Sequence, residues 1–421
     1  MLEKSKSMNK LQLFLLGGAA ILIALAVLVF SGAFGFGGRG ARTELIMWGT
    51  WESDPFREIN RALQNNSGNA FTLSYIKKSP ATYEQDLVEA LAAGAGPDLW
   101  LIPAEWRFSR ASLIAPLPAQ FFNEREFKEQ FVDVASLFIA PLRSEGRAAD
   151  ILALPLAFDP LVLYWNKDRF NAASIPLPPR DWTELMNDTS SLTRRNAAGQ
   201  IEVAGAALGR ASNIPLFKHI LEALLLQENP RQNSFLQDAS VANSATRYYT
   251  NFALSSRPHF SWHALLAPPR NLFLQNNLGM MIDYASLAPS FARQNPHLNF
   301  AVAPIPQINQ TKPVTNGALW GITVSRASPK SAQAWQATLL LTGANLAPSL
   351  LAAANFAPAR RDLLDSSNPL HAAVLQAKYI PDQHPIQTSA ILAEMIDNVA
   401  DGRKTVSEAI NEAKRKFETI R

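Results

Sequence analysis

Residues 83–103, YEQDLVEALAAGAGPDLWLIP, read as a helix, an enforced stop and a strand that ends on polar groups, and that order commits the chain to an α/β architecture. Tyr83, Leu87 and Leu91 recur every four residues, as one face of a helix requires. Gly94 and Gly96 end the helix, Pro97 bars its continuation, and Leu99 to Ile102 make a short apolar run suited to a buried strand. In open α/β sheets ligands gather beyond the carboxyl ends of strands, so Glu105 and Trp106 become candidates for a binding site.

Leu11 to Phe30, LQLFLLGGAAILIALAVLVF, carries no charge over its whole length. At about 1.5 Å per residue such a run reaches about 30 Å, the thickness of a bilayer's hydrocarbon core. A cleavable secretory signal has an apolar region of only about 7 to 15 residues, so retention as a membrane anchor is favoured. Lys4, Lys6 and Lys10 precede the run and the next charge is Arg39, which predicts a cytoplasmic amino terminus and an extracytoplasmic bulk. The Gly-rich stretch SGAFGFGGRG that follows reads as a tether over residues 31–42, because no strand precedes its Gly-x-Gly-like spacing.

The formal charge of +4 gives no argument for nucleic acid. Residues 1–42 hold five of the 39 basic residues and one of the 35 acidic ones, leaving 34 of each in the remainder. A neutral remainder with no basic stripe interleaved with aromatics excludes a nucleic-acid partner on these grounds. The absence of cysteine removes disulfides, thiolate metal sites and thiol catalysis together, along with any lipid-modified cysteine. The part beyond the tether exceeds the size at which one core stops growing, which predicts two lobes.

Short apolar strands alternate with amphipathic helices along that part: Glu44 to Trp48, Phe71 to Ile76, Ile151 to Leu156, Leu161 to Trp165, Val203 to Leu208, Leu278 to Asp283, and Asn316 to Ser325. The pattern predicts a mainly parallel sheet. The Gly-x-Gly-Pro-Asp segment at Gly94 to Asp98, the run LPLAFDPLVLYWNKDRF, the proline-rich Pro176 to Pro179 before Asp181-Trp182, NGALWGITVS and the terminal helix from Ala400 to Arg421 occur in an order that resembles the extracellular solute-binding proteins of ABC importers, the maltose-binding-protein type. The resemblance spans about residues 43–421. It implies an α/β, two-lobed periplasmic-binding-protein fold of class II type behind an N-terminal transmembrane helix. It divides the chain into lobe 1, at 43–154 and 302–348, and lobe 2, at 155–301 and 349–421. A hinge is implied near residues 153–160 and 300–306.

No Gly-x-Ser-x-Gly elbow, His-Glu-x-x-His motif or Walker loop occurs, and the six histidines are scattered. His259 and His263 have the spacing of a metal pair on a helix, but Pro258 between turn residues favours a loop, so no metal or other cofactor is expected. Aromatics and carboxylates do collect at the ends of strands. A sugar presents flat C–H faces that stack on indole and a rim of hydroxyls that need charged or amide partners. Trp51, Glu52, Glu105, Trp106, Asp159, Asp283, Tyr284 and Trp320 supply that mixture as candidate ligand-binding residues. By the resemblance, Glu52, Glu105 and Trp106 stand where the family makes polar sugar contacts, and Asp159 at the crossing between lobes. Trp48, Trp100, Trp165, Trp182 and Trp335 lie within strands or helices and read as core. The family's late stacking aromatic has no counterpart in HPIQTSAILAEMI, residues 384–396.

The resemblance implies a non-enzymatic, monomeric receptor at the cell membrane that delivers a small solute, an oligosaccharide first, to ABC permease subunits. Alternatives from the residues alone are a receptor for a peptide, polyamine or phosphate ester, an enzyme acting on surface polysaccharide through two cleft carboxylates, and a ligand-free scaffold.

Overall fold

The computed structural model describes residues 42–420, apart from residues 69, 141–148 and 353–354. Among the described residues ten strands follow one another: β1 (Thr43–Gly49), β2 (Phe71–Lys77), β3 (Leu99–Pro103), β4 (Leu154–Asn166), β5 (Arg194–Arg195), β6 (Ile201–Ala206), β7 (Leu278–Tyr284), β8 (Phe300–Pro304), β9 (Gly317–Val324) and β10 (Ala357–Pro358). They join in the order β2-β1-β3-β9-β4-β7-β6-β5, with β8 and β10 added against β4.

The opening segment folds as its residues dictate. A helix over Tyr83–Ala92 buries Tyr83, Leu87 and Leu91, and Gly94 then takes a positive φ of 71° to turn the chain. Gly96 has no room for a side chain, since a Cβ there would lie 2.4 Å from Leu91 Cδ2. The chain passes directly into β3, fully enclosed from Leu99 to Ile102. Asp98 at its start is buried, and its carboxylate accepts hydrogen bonds from Ile46 N at 2.9 Å and Ser328 Oγ at 2.6 Å. That carboxylate therefore joins β1 to the turn after β9, which gives the Gly-x-Gly-Pro-Asp segment a structural role.

β4 is the spine of the molecule. Its first half pairs antiparallel with β9 and its second half pairs antiparallel with β7 and β8. The sequence suggests two strands here, flanking Phe158, Asp159 and Pro160, but the backbone runs extended through all three. Pro160 is tolerated because Leu161 N supplies the next bond, to Asn316 O at 3.0 Å. Two hydrophobic cores lie on either side. One holds Leu45, Trp100, Leu154, Phe158, Ile322 and Trp335; the other holds Leu161, Tyr164, Ile220, Trp262, Met280 and Ile396.

Three differences from the sequence expectations follow from this spine. The sheet is mixed: β1-β2, β1-β3 and β6-β7 are parallel, whereas every strand against β4 is antiparallel, because the chain crosses between cores and returns. The return crossing lies later than residues 300–306, since Phe300–Pro304 still pairs with the second half of β4 and Val314 still packs in the second core. Ala347, Leu350, Leu351, Ala357, Ala359, Val374 and Ala377 pack with the first core, so boundaries drawn by packing fall near 158–161, 314–319 and 377–380, later than 154/155, 301/302 and 348/349.

The carboxyl-terminal region forms helices at Pro385–Ala400 and Val406–Thr419. Thr405 caps the second in a reciprocal box with Glu408. Among the described residues no helix is long and apolar enough to cross a membrane. The expected span at Leu11–Phe30 lies outside the described residues.

Candidate ligand cleft

The first wall of the cleft is aromatic, and strand pairing assembles it. Trp51 follows the carboxyl end of β1, and Glu105 and Trp106 follow that of β3. Antiparallel pairing of β9 with β3 sets Trp320 opposite Pro103, beside them. The Trp51 ring meets Trp320 edge-on with centroids 6.1 Å apart and packs on Phe356 at 4.5 Å, while Trp106 leans on Tyr83 at 5.5 Å. Tyr75 Oη holds the Trp51 backbone, accepting from its N–H at 3.0 Å and donating to its carbonyl at 3.1 Å.

The opposite wall is charged. Asp159 is buried on β4 and accepts from Ser286 N at 3.0 Å and Ser286 Oγ at 2.6 Å. Burial, with the charge of Asp283 behind it, outweighs those bonds and pushes the Asp159 carboxyl up to about 7. β4-β7 pairing sets Leu161 opposite Tyr284 and so brings Tyr284 to the same end of the sheet. The helix Phe217–Glu228 adds Lys218, His219 and Glu222. Lys218 pairs with Asp382 at 2.8 Å. Glu222 is buried, which raises its pKa, and accepts from Ile380 N at 2.6 Å and Asn316 Nδ2 at 3.2 Å.

Between the walls is a cavity of about 430 Å³, and a second hollow of about 860 Å³ adjoins it toward solvent. Glu105, Trp106, Lys218, His219 and Pro385 line both. The Glu105 carboxylate and His219 Nε2 lie 3.0 Å apart, joining the walls at the constriction. Enclosure alone would raise the Glu105 pKa, but the hydrogen bond and charge of His219, with Lys218 and Arg107 nearby, bring it down to about 2. Burial would lower that of His219, and Glu105 and Glu222 together reverse the sign and raise it.

Six of the eight residues chosen from sequence line the inner cavity: Trp51, Glu105, Trp106, Asp159, Tyr284 and Trp320. Glu52 does not, because its side chain is exposed and bonds Lys77 at 2.8 Å. Asp283 does not either. Neighbouring strand residues point to opposite faces, and Asp283 is held there by Arg270 through two bonds of 2.7 and 2.8 Å. Of the tryptophans read as core, Trp48, Trp100, Trp182 and Trp335 are buried and Trp165 is half-buried.

Sequence reasoning missed Arg107, Lys218, His219, Glu222, Tyr379 and Asp382. A signal existed in FKHILEALLLQE, where a lysine, a histidine and a glutamate fall close together in the largely apolar first half of a helix. Such residues are seldom buried without partners. Tyr379 supplies a late aromatic just ahead of the segment in which none was found. Among the described residues no group of three or more His, Asp or Glu side chains could hold a metal.

Comparison with known proteins bears on the family and the fold. The model of the family described as bacterial extracellular solute-binding protein matches residues 58–342. A Brucella abortus chain named only as a binding protein is 25% identical over 287 residues, 67% of this chain. The match spans 66% of that relative's own length. The sn-glycerol-3-phosphate-binding periplasmic protein of Yersinia enterocolitica is 25% identical over 179 residues, 41% of this chain and 38% of its own. Among solved structures, an ABC transporter solute-binding protein of Thermotoga lettingae bound with alpha-D-tagatose superposes with a TM-score of 0.70 at 19% identity, covering 90% of this chain and 99% of that one. A Listeria monocytogenes substrate-binding protein in complex with cycloalternan gives 0.70 at 15% identity with the same coverage. At these identities the structural likeness establishes the two-lobed fold. With a family match across most of its length, and a cleft built where that fold places one, the chain belongs to the bacterial extracellular solute-binding proteins.

Proposed function

We propose that this chain is the receptor of an ABC importer, binds a carbohydrate in the cleft and hands it to permease subunits. The cleft itself carries this reading: Trp51, Trp106 and Trp320 supply flat faces on one side, while Glu105, Asp159 and Tyr284 face them with hydroxyl partners. A cavity of about 430 Å³ lies within the range of small-molecule sites, and the adjoining hollow leaves room for a longer chain. The role is binding without catalysis. The family match to binding proteins supports this part of the reading.

A ligand touching both lobes favours the state in which both contacts exist, so the lobes close on it about the β4 and Asn316–Gly317 crossings. Calorimetry against neutral mono- and oligosaccharides, with sn-glycerol 3-phosphate included because the Yersinia relative carries that ligand in its name, is expected to find a sugar that binds. Small-angle scattering at saturation is expected to show a smaller radius of gyration. Binding of a peptide or polyamine in place of every sugar would overturn the carbohydrate assignment.

In this reading Leu11–Phe30 is a retained anchor, supported by its length and by the lysines that precede it. Carbonate-washed membranes are expected to keep the protein, with its amino terminus intact. Recovery of a shortened chain starting near Phe34 in the soluble fraction would replace the anchor with a cleaved signal.

A further inference from the structure

The basic side chains lining the inner cavity each meet a carboxylate, with a single exception among the described residues. Lys218 faces Asp382 at 2.8 Å and His219 faces Glu105 at 3.0 Å. Asp159 is held by Ser286, and Glu222 by Ile380 N and Asn316. Arg107 remains. It is only 5% exposed and lines the inner cavity, yet among the described residues no carboxylate lies within 4.0 Å of it. Other enclosed guanidinium groups in this chain behave differently: Arg210 meets Asp401 and Arg360 meets Asp362.

The Arg107 side chain is nonetheless held in place. Its Nη1 donates to Ala104 O at 2.9 Å, and its guanidinium lies over Phe108 at 4.2 Å, with Tyr379 at 5.9 Å. Among the described residues the rest of the fork has no protein acceptor, and its nitrogens are not among the sealed, unpartnered atoms, so they keep some exposure in a residue that lines the cavity. Burial pulls the Arg107 pKa down by more than Tyr379, Asp382, Glu105 and Glu222, acting without direct contact, raise it. A buried cation whose neighbouring carboxylates stand beyond contact is only partly compensated, and a fixed guanidinium fork matches a carboxylate or phosphate through paired N–H bonds.

We infer that the ligand of this cleft carries an anionic group, a carboxylate or a phosphate ester on a sugar-like body, and that Arg107 receives it. This rests on the carbohydrate reading above for the body of the ligand, and adds the charge. Trp106 precedes Arg107 in the chain, so one turn would offer a stacking face and an anion site together.

The test is calorimetry on the full chain in detergent with matched probes: glucose, glucuronate, glucose 6-phosphate, sn-glycerol 3-phosphate, maltose, inorganic phosphate and citrate. At least one anionic probe is expected to bind about tenfold or more tighter than its neutral counterpart, and to weaken as salt is raised. Glucuronate against glucose 6-phosphate separates a carboxylate ligand from a phosphate ester. Arg107→Gln is expected to lose about tenfold to a hundredfold in affinity for that probe, and Arg107→Lys to recover part of it, with melting temperatures close to the parent's. If either variant fails to fold, the selectivity of the unaltered chain still decides. Equal or better binding of the neutral probes, no binding of any anion at millimolar concentration, or an Arg107→Gln variant with undiminished anion affinity would each overturn the inference. Citrate or phosphate binding that depends on Arg107, with no sugar-bearing probe bound, would instead remove the carbohydrate reading and leave the anion site standing.

Discussion

Trp106→Ala is expected to weaken ligand binding by about tenfold to a hundredfold, with a melting temperature close to the parent's, whereas Trp100→Ala is expected to do the reverse. Trp106 is half-buried, rests on Tyr83 at 5.5 Å and borders both the inner cavity and the outer hollow, so truncation removes a face that a ligand covers. Trp100 is fully enclosed in β3, between β1 and β9, and truncation there empties the centre of the first core. Loss of such a ring costs about 3 to 5 kcal/mol. Its Nε1 is sealed without a partner, so Trp100→Phe, which removes that N–H, should be far milder than Trp100→Ala. Thermal unfolding and calorimetry on the variants separate the two roles. A Trp106→Ala protein that melts early and binds normally would return that residue to the core.

Stability is expected to fall as pH rises from about 4 to about 7, and Asp159→Asn to remove much of that decline. Asp159 is buried, and its carboxyl is pushed from the ordinary value of 3.8 to about 7. With the folded value above the unfolded one, the native state keeps a proton that the unfolded chain releases in this window. Below the window both forms hold the proton and the difference vanishes. Above it the native state carries a buried carboxylate, at a cost of about 4 kcal/mol as an upper figure. Asparagine keeps an acceptor for Ser286 N and never charges, so the advantage of the variant should grow between pH 4 and 7 and then level off. Urea unfolding at several pH values checks this. Parallel stability curves for the two proteins would mean that Asp159 is solvated through the cleft and titrates normally.

Much of the site was legible because strand ends are. The positions after β1 and β3 are where this architecture opens toward ligand, and an indole beside a carboxylate at such a position is visible in sequence. Which of two neighbours faces the cleft is not visible. Asp283 and Tyr284 differ by one step of a two-residue repeat, and Arg270, thirteen residues earlier, had already taken the carboxylate. The charged helix face was harder still. Lys218, His219 and Glu222 find Asp382, Glu105 and Ile380 at separations of 164, 114 and 158 residues, so nothing near them in sequence announces the partners.

By itself the sequence determined what is set within a few residues: the stop at Gly94 to Pro97, the alternation of strand and helix, the Thr405–Glu408 cap, the indoles at strand ends. These depend on φ preference, hydrogen-bond spacing and side-chain period, all local quantities. Tertiary structure alone decided that β4 runs unbroken between the cores and that β9 inserts between β3 and β4. It decided likewise that the last crossing falls near residues 377–380 and that Arg107 is left without a carboxylate in contact while Lys218 and His219 each have one. The reason is physical: a strand's neighbours and a buried charge's partner are chosen by the closure of distant segments, and their free energy depends on geometry that exists only after the chain has folded.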